Sequence, residues 1–142
     1  SREVVEAEVL RRLARKRLAP ERARKANAEI AMLIDASPGE IVEPDMRFHT
    51  ALIDAIGSPR LSRTYGSLAS EVVFCMSQVQ GASLLPTELI AAEHERILEL
   101  IEAGDEDGAA ALLAIHIGRA RERLAERLGG VAGPEAFVPP TV

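Results

Sequence analysis

At 142 residues the chain can close one hydrophobic core and is too short for two independent domains plus a linker. Its 17 Lys and Arg against 22 Asp and Glu leave a formal net charge of -5, which argues against a dominant nucleic-acid surface even though the first 25 residues are rich in Arg and Lys. Aromatics are scarce and Trp is absent, so the core must be built from Leu, Ile, Val and Ala, and the single Cys75 excludes an internal disulfide or a thiolate zinc site.

Residues 2 to 18 read as a first helix, with Val5, Val9, Leu10 and Leu13 on one side and charged residues on the other. Its arginines lack interleaved aromatics, so a solvated or dimer-facing surface is expected. Pro20 fits the first turn of a second helix that runs through Ile30, Leu33 and Ile34 until Ser37-Pro38-Gly39 stops it. A third helix begins near Glu40 or is set by Pro44, carries Asp45, Phe48, His49, Leu52 and Ile56, and ends at Gly57-Ser58-Pro59. The fourth, from Pro59 to Gln80, interrupts its apolar pattern with Ser67, Ser70, Glu71, Ser77 and Gln78; if buried, these need partners. Pro86-Thr87-Glu88 opens a fifth helix bearing Ile90, His94, Ile97 and Ile101, with Gly104 as its C-cap and Asp105 capping the sixth. That last helix carries Leu112, Leu113, His116 and Leu124 and ends at Gly129-Gly130. The expected fold is all-α, an antiparallel bundle of about six helices over residues 1–128, followed by a Gly- and Pro-rich tail over 129–142. No apolar run approaches the ~18 residues of a membrane helix, and the cysteine usage fits a reducing cytoplasm. Because the chain opens inside a helical pattern without an initiator Met, a preceding segment is expected.

All three histidines, His49, His94 and His116, lie on apolar stripes, and Asp45 sits one turn before His49. The i, i+4 spacing puts Asp45 and His49 on one face, about 5–6 Å apart at Cβ. A single inward histidine is ordinarily a core residue bonded to a neighbour. Three on three helices, with a carboxylate beside one, point instead to a divalent metal in the bundle core. Open coordination positions would admit a small organic acid, with Ser67, Ser70, Glu71 or Gln78 orienting it and Arg2 able to pair with its carboxylate.

The segment Asp45-Met46-Arg47-Phe48-His49-Thr50-Ala51-Leu52, continued by Ala55-Ile56-Gly57-Ser58-Pro59-Arg60-Leu61, resembles a D-x-x-F-H-x-x-L motif ending in A-x-G-N-P-x-L. Glu93-His94-Glu95-Arg96-Ile97 through Gly104-Asp105, the later His116, and the start Arg2-Glu3-Val4-Val5-Glu6 are similar to further landmarks of the same family. This is the FCD domain, the C-terminal effector-binding domain of one branch of GntR-type bacterial transcriptional regulators. The resemblance implies that Asp45, His49, His94 and His116 coordinate a divalent metal, zinc first with nickel or manganese as alternatives. It also implies a small carboxylate or sugar-acid effector, a homodimer, and a winged helix-turn-helix that binds operator DNA, which this chain does not contain. Ser58 departs from the usual Asn. Val72, Val73, Phe74, Cys75 and Met76 stand where many relatives place a basic residue, which implies an effector smaller, less charged or differently oriented than a typical dicarboxylate.

The leading expectation is thus a metal-dependent sensor that is not an enzyme. The rivals are a metalloenzyme acting on a small carboxylate and a purely structural metal in a dimerisation domain. Catalysis needs a general base. Glu93 and Glu95 flank His94 and are expected to point away from its face, leaving Glu71 as the inward carboxylate.

Overall fold

The computed structural model describes residues 2–33, 35–77 and 86–129; of the tail expected over 129–142, Gly129 closes the last helix and the rest lies outside the described residues. Six helices fill the described chain: α1 (Arg2–Arg15), α2 (Glu21–Ala31), α3 (Pro38–Asp54), α4 (Pro59–Ser77), α5 (Thr87–Ala103) and α6 (Glu106–Gly129). Among the described residues there is no strand, and no helix is long and apolar enough to cross a membrane.

Helix α1 lies along α6 and also meets α3 and α5; α2 packs on α3 and α5, and α4 on α3. The i, i+3, i+4 stripes supply the core. Leu10, Leu13, Phe48, Leu52, Ile97 and Ile101 are essentially fully buried, each contributing about 1.5–3 kcal/mol of transfer free energy. Arg11 and Arg15 pair with Asp107 and Glu106 in the first turn of α6, and Arg24 pairs with Glu102. The basic face is solvated, as expected, with Arg11 38% and Arg15 62% exposed, and its charges are matched within the chain against an acidic helix start.

Element boundaries moved where local chemistry decides them. Helix α1 ends at Arg15, ahead of Arg17 at φ 53°, and α2 ends at Ala31, ahead of Asp35 at φ 53°. Rather than stopping α2, Ser37-Pro38 starts α3: the Ser37 backbone N–H donates to Glu40 Oε1 at 2.8 Å, the returning half of a capping box. Pro44 therefore sits inside the helix, and its missing N–H falls early, where Glu40 faces solvent. Ser58 caps α4, its Oγ accepting from the Leu61 N–H at 3.2 Å, so the departure from Asn is absorbed by a turn.

The α5–α6 corner fixes the approach of the two helices that carry His94 and His116. Gly104 adopts φ 77°, its N–H bonds the Ile101 carbonyl at 3.0 Å, and the Asp105 N–H reaches Leu100 at 2.9 Å. A Cβ here would stand 3.1 Å from Arg17 Nε. Gly104→Ala should therefore cost about 1–2 kcal/mol in urea unfolding, and an unchanged midpoint would contradict this account of the corner.

Candidate metal centre

Helix α3 presents Asp45 and His49 one turn apart, α5 presents His94 and α6 presents His116, and one donor atom from each lies within 4.8 Å of the others. Asp45 Oδ1 is 3.1 Å from His94 Nε2, 3.5 Å from His49 Nε2 and 4.0 Å from His116 Nε2. The rings are fully buried or nearly so, while the Asp45 side chain keeps 15% exposure and marks the side of the set nearest solvent. Phe48 stacks flat on His94, centroids 3.7 Å apart and planes 4° from parallel, which fixes that ring's orientation.

What decides the chemistry is the opposite edge of each ring. His49 Nδ1 contacts Glu6 Oε1 at 2.5 Å, His94 Nδ1 contacts Asn27 Oδ1 at 3.1 Å, and His116 Nδ1 contacts Glu93 Oε1 at 2.8 Å. Asn27 is oriented by its own amide, which donates to the Ala91 carbonyl at 3.0 Å and so leaves Oδ1 facing the ring. All three partners are acceptors, so every Nδ1 carries its proton. Each ring, once neutral, then turns a bare Nε2 lone pair inward; His49 alone holds a second proton, on Nε2, in the metal-free protein. His94 Nε2 and His116 Nε2 stand 3.2 Å apart, a separation at which two acceptors need a proton or a cation between them. Among the described residues Asp45 Oδ1 and His49 Nε2 are buried without a hydrogen-bond partner. Three imidazoles and one carboxylate fit a divalent cation, and the orphaned atoms are those that such an ion would satisfy.

The acceptors are held in turn. Arg2 Nε donates to Glu6 Oε2 at 2.9 Å, Tyr65 Oη donates to the same oxygen, and Arg119 pairs with Glu93 Oε2. Burial would raise the Glu6 carboxyl, but His49 and Arg2 override it and hold it down at about 2. Asp45 likewise stays well below the usual carboxylate range against its burial, through His49 and His94. Tyr65 is pushed far above the ordinary phenol range by burial and by Glu6, so it acts as a neutral donor.

Sequence reasoning brought Asp45, His49, His94 and His116 together but missed Glu6, Asn27, Glu93, Tyr65 and Arg119. A signal existed: Glu6 shares the stripe of Val9, Leu10 and Leu13, and Glu93 lies three residues after Ile90 and four before Ile97, so both are polar residues at core positions. The expectation that Glu93 points away is corrected, since it is buried against His116; Glu95 is exposed as expected. Arg2 is part-buried against Glu6 instead of being a free terminal charge. The polar face of α4 is exposed rather than buried. Ser67 and Ser70 are exposed, as is Glu71, because α4 is covered mainly by α3 on one side; this removes the inward base expected of Glu71. Gln78 lies outside the described residues.

Two measurements test this geometry. Glu93→Ala leaves all four donors in place but frees the His116 ring, while Arg119, already 42% exposed, relaxes into water. Affinity for zinc in a chelator competition should fall about 10–100-fold, and wild-type affinity would refute the role given to Glu93. The second is proton release. In the metal-free protein, burial pushes the His49 pKa down, but the Glu6 carboxylate, aided by Asp45, raises it to about 9. His116 is lowered to about 4 by burial and by His49 and His94, and burial lowers His94 too. Between about pH 7 and pH 8 only the His49 proton must leave when a cation enters, so the logarithm of apparent affinity should rise about one unit per pH unit and level off above about pH 9. Calorimetry in buffers of different ionisation enthalpy reads the released protons directly; a count near zero would contradict the assignment.

No curated protein sequence and no solved structure matched the chain. The family model described as the FCD domain matches residues 1–119, a span that takes in all four donors, the three acceptors of the ring protons and Arg119. The chain therefore belongs to the FCD domain family.

Proposed function

We propose that this domain is the effector-sensing part of a GntR-type transcriptional regulator. In this reading Asp45, His49, His94 and His116 bind one divalent cation, zinc first with nickel or manganese as alternatives. A small organic or sugar acid binds beside it, and the domain works in the cytoplasm as a homodimer attached to an operator-binding winged helix-turn-helix. The observation that carries the metal assignment is the pinning of all three Nδ1 protons outward, which leaves three lone pairs and a carboxylate oxygen facing one another. A bound cation would neutralise that convergence and offer a Lewis-acidic anchor for an oxygen donor.

Sensing is favoured over catalysis because each buried carboxylate is already engaged. Glu6 holds His49, Tyr65 and Arg2, Glu93 holds His116 and Arg119, and Asp45 belongs to the donor set, so among the described residues no inward carboxylate is left as a base. A route for the signal is also present. A pocket of about 310 Å³ between α1, α4 and α6 is lined by Arg2 and by Ile117, next to His116. Arg2 is thus one hydrogen bond from Glu6 and two from His49. A ligand that takes hold of Arg2 changes the support of a metal ligand, and a change of this kind shifts helix packing only if the two states bind the ligand unequally.

Metal content of protein purified without added metal, followed by thermal unfolding with a panel of small acids, tests the reading. We expect about one equivalent of a divalent ion, and stabilisation by a binder approaching about 2.7 kcal/mol at a hundred times its Kd. His94→Ala should lose the ion and most of the acid-dependent shift. Full metal retention without any response to the panel would favour the structural-metal reading; acid-dependent stabilisation undiminished in His94→Ala would sink the metal-dependent one.

A further inference from the structure

The pocket between α1, α4 and α6 has two distinct surfaces. Its wall is apolar, formed by Leu68, Val72, Met76, Ile117 and Ala120. Its rim carries both signs of charge, Arg2 and Arg121 with Glu3 and Glu71. At about 310 Å³ it falls at the small end of small-molecule clefts, which run from about 300 to 1,000 Å³.

The rim charges are unequally committed. Arg121 is matched by Glu3 at 3.5 Å, both in contact with solvent. Arg2 uses its Nε on Glu6, and among the described residues its two terminal nitrogens make no hydrogen bond, although the side chain is only 13% exposed. Those nitrogens form a fork suited to a carboxylate, and their partial burial gives the contact more weight than a surface pair would have. Glu71 has no ion pair or hydrogen bond among the described residues and so offers an acceptor for a cation.

We propose that this pocket takes a zwitterionic amino acid with an apolar side chain: carboxylate on the Arg2 fork, ammonium toward Glu71, and side chain against Leu68, Val72, Met76, Ile117 and Ala120. This rests on reading the domain as a small-molecule sensor and narrows its ligand. A dicarboxylate would place its second charge near Glu3 or Glu71. The hydroxyls of a sugar acid would lie on a wall without hydrogen-bond partners, at the cost of their hydration. A plain fatty acid would satisfy Arg2 and the wall but leave Glu71 facing its carboxylate end.

Titration of the metal-loaded protein with free leucine, hexanoate, succinate and gluconate tests the assignment. Leucine should bind tightest, hexanoate about fivefold weaker, and succinate and gluconate about tenfold weaker or more. Glu71→Gln, a change at an exposed position, should bring leucine down to the level of hexanoate while leaving hexanoate unchanged or slightly tighter. Ala120→Phe should fill the wall and abolish leucine binding with metal content unaltered, its folding followed by circular dichroism. Succinate or gluconate binding more tightly than leucine would overturn the ligand class while leaving the sensor reading intact, as would a leucine affinity indifferent to Glu71→Gln. Binding of none of the four compounds would instead bring down the small-molecule sensor reading on which the ligand class rests.

Discussion

Three ring protons point outward, and most of the interior follows from that. Once Glu6, Asn27 and Glu93 accept from Nδ1, the Nε2 lone pairs have nowhere to go but toward Asp45 Oδ1 and one another. Four electron-rich atoms converging in a place with little water would be strongly unfavourable with nothing between them. The arrangement is therefore a demand for positive charge, met by a proton on His49 in the metal-free protein and better met by a divalent ion. A bound ion would link metal binding to the integrity of the bundle for the same reason, since it would remove a cost that the fold otherwise carries.

Each of these outer hydrogen bonds also crosses between helices. Glu6 ties α1 to α3, Asn27 ties α2 to α5, and Glu93 ties α5 to α6. The donor set itself joins α3, α5 and α6, so five of the six helices meet in one polar network inside an aliphatic core. Apolar packing alone is tolerant of sliding and repacking. A network of fixed directions is less so, because a small shift of α1 against α3 breaks a buried charge-assisted bond worth more than a single methylene contact. Helix α4 is the exception. Among the described residues it enters the network only through Tyr65, and it is the helix whose exposed face carries Ser67, Ser70 and Glu71.

How much of this was legible in the sequence follows from the range of the interactions. The stripes of α3, α5 and α6 placed Asp45, His49, His94 and His116 inward, because helical periodicity is local and the residues are chemically conspicuous. Glu6, Asn27 and Glu93 occupy the same kind of stripe, yet a lone carboxylate or amide among leucines has no visible partner in one dimension; the partner of Glu6 is 43 residues away. The misplacement of Ser67 and Ser70 has a different origin. A helix that mixes small polar and apolar residues reads as buried or as half-covered depending only on what packs against it, and that is decided by α3 rather than by α4 itself. Pro44 and Ser37 illustrate a third limit, in which two signals for a helix start compete and the reciprocal Ser37–Glu40 cap wins.

Arg2 gives the network a direction. It both lines the α1–α4–α6 pocket and hydrogen-bonds Glu6, one of the acceptors behind the donor set. Glu6 divides its two oxygens between His49 on one side and Arg2 with Tyr65 on the other, so the charge it presents to the ring depends on how strongly Arg2 is engaged elsewhere. A carboxylate drawing on Arg2 from the pocket leaves more of Glu6 for His49, and an ion drawing on His49 alters Glu6 for Arg2. If the pocket takes such a ligand and the donor set such an ion, thermodynamic reciprocity requires that each change the other's affinity by the same factor. The coupling needs no direct contact between the two, only one carboxylate shared by a histidine and an arginine at the place where α1 crosses α3.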